Sequence, residues 1–231
     1  MGNFLESSEL KTGTSDIPEV NEGIRESEAS DSVSEVPNDN NEFIESLQQD
    51  LENYEDSVET INVREYGLME CTEATKEIFT PEVVNDWGDY SREQKAEIVN
   101  EYSKAIVEGL NINFEGAVFE EMDEYTYGYT CGDGYIHLNE NMLDGYLPYS
   151  LIDTVAHELR HQLQCEAMEN PEKFGIDEGT IETWQYGEDT YWLGLFDPEN
   201  YYRYNPLELD ARYFGESMVN ELIKEIHNEI Q

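Results

Sequence analysis

Apolar residues recur at Phe43, Leu47, Leu51, Tyr54, Val58 and Ile61, in steps of three and four. Such steps line one face of a helix, so residues 41–62 are expected to form an amphipathic helix or linker. It would dock on the body, or lie over a cleft as a blocking segment. Upstream, residues 1–40 are rich in Ser, Glu, Asp and Asn and poor in large apolar side chains. That composition buries too little apolar area to offset the entropy of ordering, and predicts a disordered acidic tail. Residues 63–231 are left as the folded domain.

Within the body the period changes twice. Ser91 and Gln94 form a capping-box pattern ahead of Ile98, Val99, Tyr102, Ile106 and Leu110. This predicts a long helix with Gly109 near its stop. Short β-branched and aromatic runs follow at Ala117–Phe119, Tyr125–Thr130 and Tyr135–Leu138. Cys131-Gly132-Asp133-Gly134 separates the last two runs, which predicts a hairpin. A helix is then expected from about Ser150 to Met168, with Leu151, Ile152, Val155, Ala156, Leu159 and Leu163 on its apolar side and Pro171 beyond its end. Residues 171–204 are aromatic and irregular, with a short helix near Ile181 and Trp184. Asn205-Pro206 suits the start of a last helix that carries Leu209, Tyr213, Met218, Leu222 and Ile226. The fold class expected is α+β: a small antiparallel or mixed sheet, a long backing helix, a helix at about 150–168 and a C-terminal helix.

Charge adds a constraint on partners. The chain holds 54 acidic and 12 basic residues, a formal net charge of −42. Residues 61–231 alone hold 37 acids and 10 bases, so the body is acidic too. Such a surface repels nucleic acid and anionic membranes, and neither is expected as a partner. It favours a protein or peptide substrate with basic groups, or serves solubility alone. Cys71, Cys131 and Cys165 are odd in number and lack a CxxC spacing, which argues against a disulfide framework or a cysteine-based zinc site. The N-terminus lacks a basic and apolar leader, so a cytoplasmic location is expected, with leaderless export as the alternative.

The candidate chemistry lies in His157-Glu158-Leu159-Arg160-His161. Residues four apart on a helix project the same way, so both imidazoles can reach one zinc ion. Zinc lowers the pKa of bound water to about 7, and Glu158 can take up its proton and pass it to a leaving amine. The third ligand is not a downstream histidine of the extended motif. Gln164 stands in its glycine position, Glu166-Ala167-Met168 follows, and no histidine occurs before His227. Glu208, in the first turn of the last helix, is the choice. Its alternative role is to complete a capping box with Asn205. Asp210 is the second candidate, or else an acceptor for the free ring nitrogen of a ligand histidine. Tyr201, Tyr202 and Tyr204 are candidates to stabilise an oxyanion, with Tyr204 favoured. His137 lies on an expected edge strand and would line the cleft or simply be satisfied there. Cys165 shares a helix face with His161 and is expected as a small buried residue rather than a thiolate ligand. Arg160 and Arg212 would pair with Asp210 or Glu166 and hold the two ligand helices together.

With these residues in place, His157, Glu158, His161, Glu208, Ala211 and Phe214 form a pattern that resembles gluzincin metallopeptidases of the ImmA/IrrE kind. It is also similar to metallopeptidase domains of phage-associated and polymorphic-toxin proteins. The resemblance spans roughly residues 90–220. It implies a zincin-like fold with an active-site helix and a C-terminal ligand-bearing helix, one zinc ion, a His-His-Glu ligand set and peptide-bond cleavage. The helix-turn-helix and DNA partner of some relatives have no counterpart here, so a regulator role does not carry over. Two other functions fit the residues: an acidic decoy that occupies a basic site on its partner, and a zinc-stabilised module without turnover. The sequence leaves the oligomeric state open.

Overall fold

The structure is a computed structural model and describes residues 63, 65–131, 133–191, 202 and 204–229. The expected tail (1–40) and amphipathic helix (41–62) lie outside the described residues. The chain is α+β, predominantly helical with one small mixed sheet. In chain order the helices are α1 (Leu68–Ile78), α2 (Pro81–Asp86), α3 (Arg92–Leu110), α4 (Tyr149–Glu169), α5 (Pro171–Phe174), α6 (Glu178–Thr190) and α7 (Pro206–Glu229). The strands β1 (Gly116–Glu120), β2 (Gly128–Thr130) and β3 (Tyr135–Asn139) fall between α3 and α4.

The capping box at the start of α3 forms as expected. The Ser91 hydroxyl accepts from Gln94 N–H, and the Gln94 side chain accepts from Ser91 N–H. Gly109 is not the stop. It lies inside the last turn, where a Cβ would come within 2.6 Å of Cys71 Sγ, so its role is close packing of α1. Asn111, in the left-handed region at φ 53°, ends the helix instead. The pair α1 and α2 had no periodic signal strong enough to be read, although Thr80 caps α2 and Pro81 opens it.

The sheet corrects one expectation. The strands run β1-β3-β2, with β1 parallel and β2 antiparallel to β3. The hairpin is present, but β3 is the central strand and not an edge. The terminal strand beside α4 is β2. Periodicity fixes which face of a strand is buried, not which neighbours it pairs with. Ile136 and Leu138 of β3 are buried on the α4 side, while His137 points to the other face. Lys95 of α3 secures the connection from β3 to α4, since its buried ammonium donates to the carbonyls of Leu143 and Gly145 at 2.9 and 3.0 Å.

Helix α4 runs through the middle of the core. Its apolar side, Leu151, Ile152, Val155, Ala156, Leu159 and Leu163, is buried as expected. Its most extensive packing is against α7. The buried stripe of α7 is Leu207, Ala211, Phe214, Met218 and Leu222, whereas Leu209 and Tyr213 are partly exposed. The two helices approach so closely that a Cβ at Gly215 would overlap the carboxylate of Asp153 and lie 2.8 Å from its carbonyl oxygen. Gly215→Ala is therefore expected to force α7 away from α4 at a cost of about 1–3 kcal/mol. Denaturant unfolding would measure it, and unchanged stability would show that the helices can separate freely.

Candidate metal centre on helices α4 and α7

His157 and His161 lie one turn apart on the side of α4 away from its buried leucines. Their Nε2 atoms are 3.1 Å apart and the rings meet edge to face. The close crossing of α7 brings in the carboxylate of Glu208. Its Oε2 lies 3.4 Å from His157 Nε2 and its Oε1 3.3 Å from His161 Nε2. Glu208 is 1% exposed, and Asn205 leaves it free to turn inward. The Asn205 side chain caps α7 by accepting from Leu207 N–H, and donates to the Gly187 carbonyl at the end of α6. Glu208 thus faces the histidines, and the capping-box alternative is not the arrangement observed.

These three residues bring one ligand atom each to within 4.8 Å of one another. A tetrahedral zinc site with bonds of about 2.0–2.1 Å has ligand–ligand edges of about 3.3–3.4 Å. The two imidazole nitrogens are separated by 3.1 Å, and each lies 3.3–3.4 Å from a different oxygen of the Glu208 carboxylate, close to that edge length. The ring orientation fits as well. His161 Nδ1 lies 2.8 Å from Gln164 Oε1, which assigns the proton to Nδ1 and turns the Nε2 lone pair toward the centre. Electrostatics point the same way. Burial pushes Glu208 up, but the imidazoles of His161 and His157 outweigh it and hold its pKa well below the usual carboxylate range. Burial alone would lower His161, yet Glu208 and Glu158 raise it to about 9. The buried Glu208 carboxylate is thus stabilised by positive charge at the imidazoles, a role that a bound cation would also fill.

Glu158 is 8% exposed and turns toward β2, where the Thr130 hydroxyl lies 3.1 Å from Oε2 and 3.2 Å from the Glu158 carbonyl. This contact places the carboxyl beside the centre without making it part of the triangle. Thr130 carries no signal in the sequence, since its role depends on the position of the terminal strand.

Among the tyrosines, Tyr191 donates to Glu208 Oε1 at 2.6 Å, and Tyr202 packs edge to face on its ring. Burial, and then the negative charge of Glu208, pushes both phenols above their ordinary range. Glu158 contributes to the same shift at Tyr202. Tyr202 and Tyr204 are similarly exposed, at 43% and 45%, but it is Tyr202 and not the Tyr204 favoured from sequence that packs on Tyr191, and Tyr201 lies outside the described residues. Tyr191 and Tyr202 are therefore the residues brought to the centre.

Behind the triangle a buried polar network ties the helices together. Arg160, fully buried, makes a two-pronged pair with Asp210 at 2.8 and 3.0 Å and donates to the carbonyls of Val63 and Tyr66. Its guanidinium also lies over the Phe214 ring. Gln164 Nε2 donates to Asp210 Oδ2 and to the Leu207 carbonyl, while its Oε1 meets His161. Asp210 thus acts one step removed from the centre, through Gln164. Glu166 instead binds Asn113 and Lys173. Cys165 is half-buried rather than buried as expected, and desolvation pushes its thiol up to about 12. His137 lies across the sheet from this centre. No helix among the described residues is long and apolar enough to cross a membrane. No family model, curated protein or solved structure matches the chain.

Proposed function

We propose that the chain is a zinc-dependent peptidase of the gluzincin type, with His157, His161 and Glu208 as the zinc ligands. The observation that carries this reading is the approach of two imidazole nitrogens and the Glu208 carboxylate at separations close to tetrahedral edges, with a second carboxyl group, Glu158, held beside them by Thr130. When bound, zinc supplies Lewis acidity toward a carbonyl and a nucleophile at neutral pH. The chain supplies the rest. Glu158 takes a proton from the attacking water and hands it to the departing amine nitrogen, so one carboxyl serves as base and then acid. Thr130 holds that carboxyl in place. Tyr202 offers a phenol hydroxyl to the developing oxyanion, with Tyr191 steadying Glu208 beneath it. An extended substrate would pair with β2, the terminal strand of the sheet beside α4, and so pass over the helix carrying both histidines. The acidic surface favours substrates rich in Lys and Arg.

Chelation provides the test. The full chain is incubated with a diverse peptide mixture before and after zinc is stripped and then restored. Cleavage that stops on stripping and returns with stoichiometric zinc is the expected result. Cleavage unaffected by stripping would defeat the proposal, as would a zinc-replete chain that cuts no peptide.

A further inference from the structure

A second cluster of ligand-type side chains lies on the opposite face of the sheet, in the turn that joins β2 to β3. His137 Nε2 is 3.2 Å from Asp133 Oδ2 and 3.7 Å from Cys131 Sγ. Cys131, Asp133 and His137 each present one ligand atom, all within 4.8 Å of one another. The Cys131 thiol also reaches the Asp133 carboxylate, so Asp133 is shared between the other two groups. A shared cation would satisfy all three.

The distances agree with that. Around tetrahedral zinc, bonds of about 2.0–2.1 Å to nitrogen or oxygen and about 2.3 Å to sulfur give edges of about 3.3 Å for N–O and about 3.6 Å for N–S. The turn is built to aim these groups. Gly134, at φ 87°, reverses the chain. Asp133 Oδ1 accepts from Tyr135 N–H at 2.9 Å, which leaves Oδ2 directed at His137. Tyr129 stacks flat on the imidazole, with ring centres 4.5 Å apart. On the far side of the ring, Nδ1 is shut from solvent with no hydrogen bond formed and faces Glu120 Oε1 at 3.4 Å. Metal-bound histidines commonly direct their second nitrogen at a carboxylate, and a proton on Nδ1 facing Glu120 would leave the Nε2 lone pair free. Tyr129 in turn donates to the same Glu120 oxygen at 2.7 Å, holding the carboxylate in place.

We infer that Cys131, Asp133 and His137 form a second divalent-cation site, suited to zinc, with Glu120 as the positioning carboxylate. Such an ion would cross-link the end of β2 to β3. Thr130, the neighbour of Cys131, is the residue that holds Glu158. The site would therefore act as a staple for the strand bordering the α4 centre. It stands apart from His157, His161 and Glu208 and does not depend on their chemistry.

Cobalt tests it directly, because thiolate ligation gives a near-ultraviolet charge-transfer band that nitrogen and oxygen ligands do not. The reduced, metal-free full chain is titrated with Co2+. The expected result is a thiolate-to-cobalt band that is lost in Cys131→Ser and His137→Ala and kept in His157→Ala. The absence of a band in the parent chain would overturn the inference, with no reliance on any variant folding. A band that survives Cys131→Ser would do so as well.

Discussion

Replacing Glu158 by Gln is expected to lower peptide hydrolysis by on the order of a thousandfold while zinc content stays unchanged. The amide nearly preserves the shape of the side chain and can still accept from the Thr130 hydroxyl, which lies 3.1 Å from Oε2. What it cannot do is receive and return a proton. The ligand triangle does not include Glu158, so binding of the ion is expected to survive. Steady-state kinetics paired with elemental analysis checks both halves. Near-normal turnover would show that the proton is handled elsewhere. Loss of zinc would show that Glu158 supports the ion itself.

The largest expected loss of stability comes from Arg160→Ala. Arg160 is fully buried and ties α4 to Asp210 on α7 and to the carbonyls of Val63 and Tyr66. Removing one partner of a buried ion pair leaves the other charged, desolvated and unpaired, which costs about 3–5 kcal/mol. The Tyr66 carbonyl also loses the Arg160 donor, while the Val63 carbonyl keeps Tyr66 N–H. The pair as a whole is a different matter. Replacing both Arg160 and Asp210 with apolar residues of similar size is expected to recover much of the stability, because the unpaired charge disappears. Its cost should then appear at the centre, since Asp210 anchors Gln164, and Gln164 orients His161. Denaturant unfolding of the two single variants and the double variant separates these effects. Additive losses would show that the pair contributes only as two independent residues.

Local features were readable where a local rule governs them. The capping box at Ser91, the apolar side of α4 and the Asn205 cap of α7 each follow from spacing and hydrogen-bonding capacity within a few residues. The pairing of His157 with His161 follows from the helical turn alone. Glu208 was legible as a residue of the first turn of α7, but its inward rotation depends on how α7 crosses α4. That crossing rests on Gly215 against Asp153 and on the Arg160 network, contacts more than 40 residues apart in sequence. Strand order was not legible, because three short runs with similar composition do not reveal which is central. The site tyrosines were obscured for a similar reason. Tyr191 reaches Glu208 because α6 docks on Asn205 through the Gly187 carbonyl, and the 171–204 segment carries no period that would show it. Gln164 could have been found from the sequence, since it lies three residues after His161 on the same helix and can bond its second ring nitrogen.

The central claim is that Glu208 completes a zinc site with His157 and His161. Zinc per chain, measured by elemental analysis of the full-length parent and Glu208→Ala after exhaustive dialysis against a chelating resin, tests it most directly. The variant is predicted to hold one zinc fewer than the parent. Equal zinc in the two proteins would remove Glu208 from the ligand set and contradict the account.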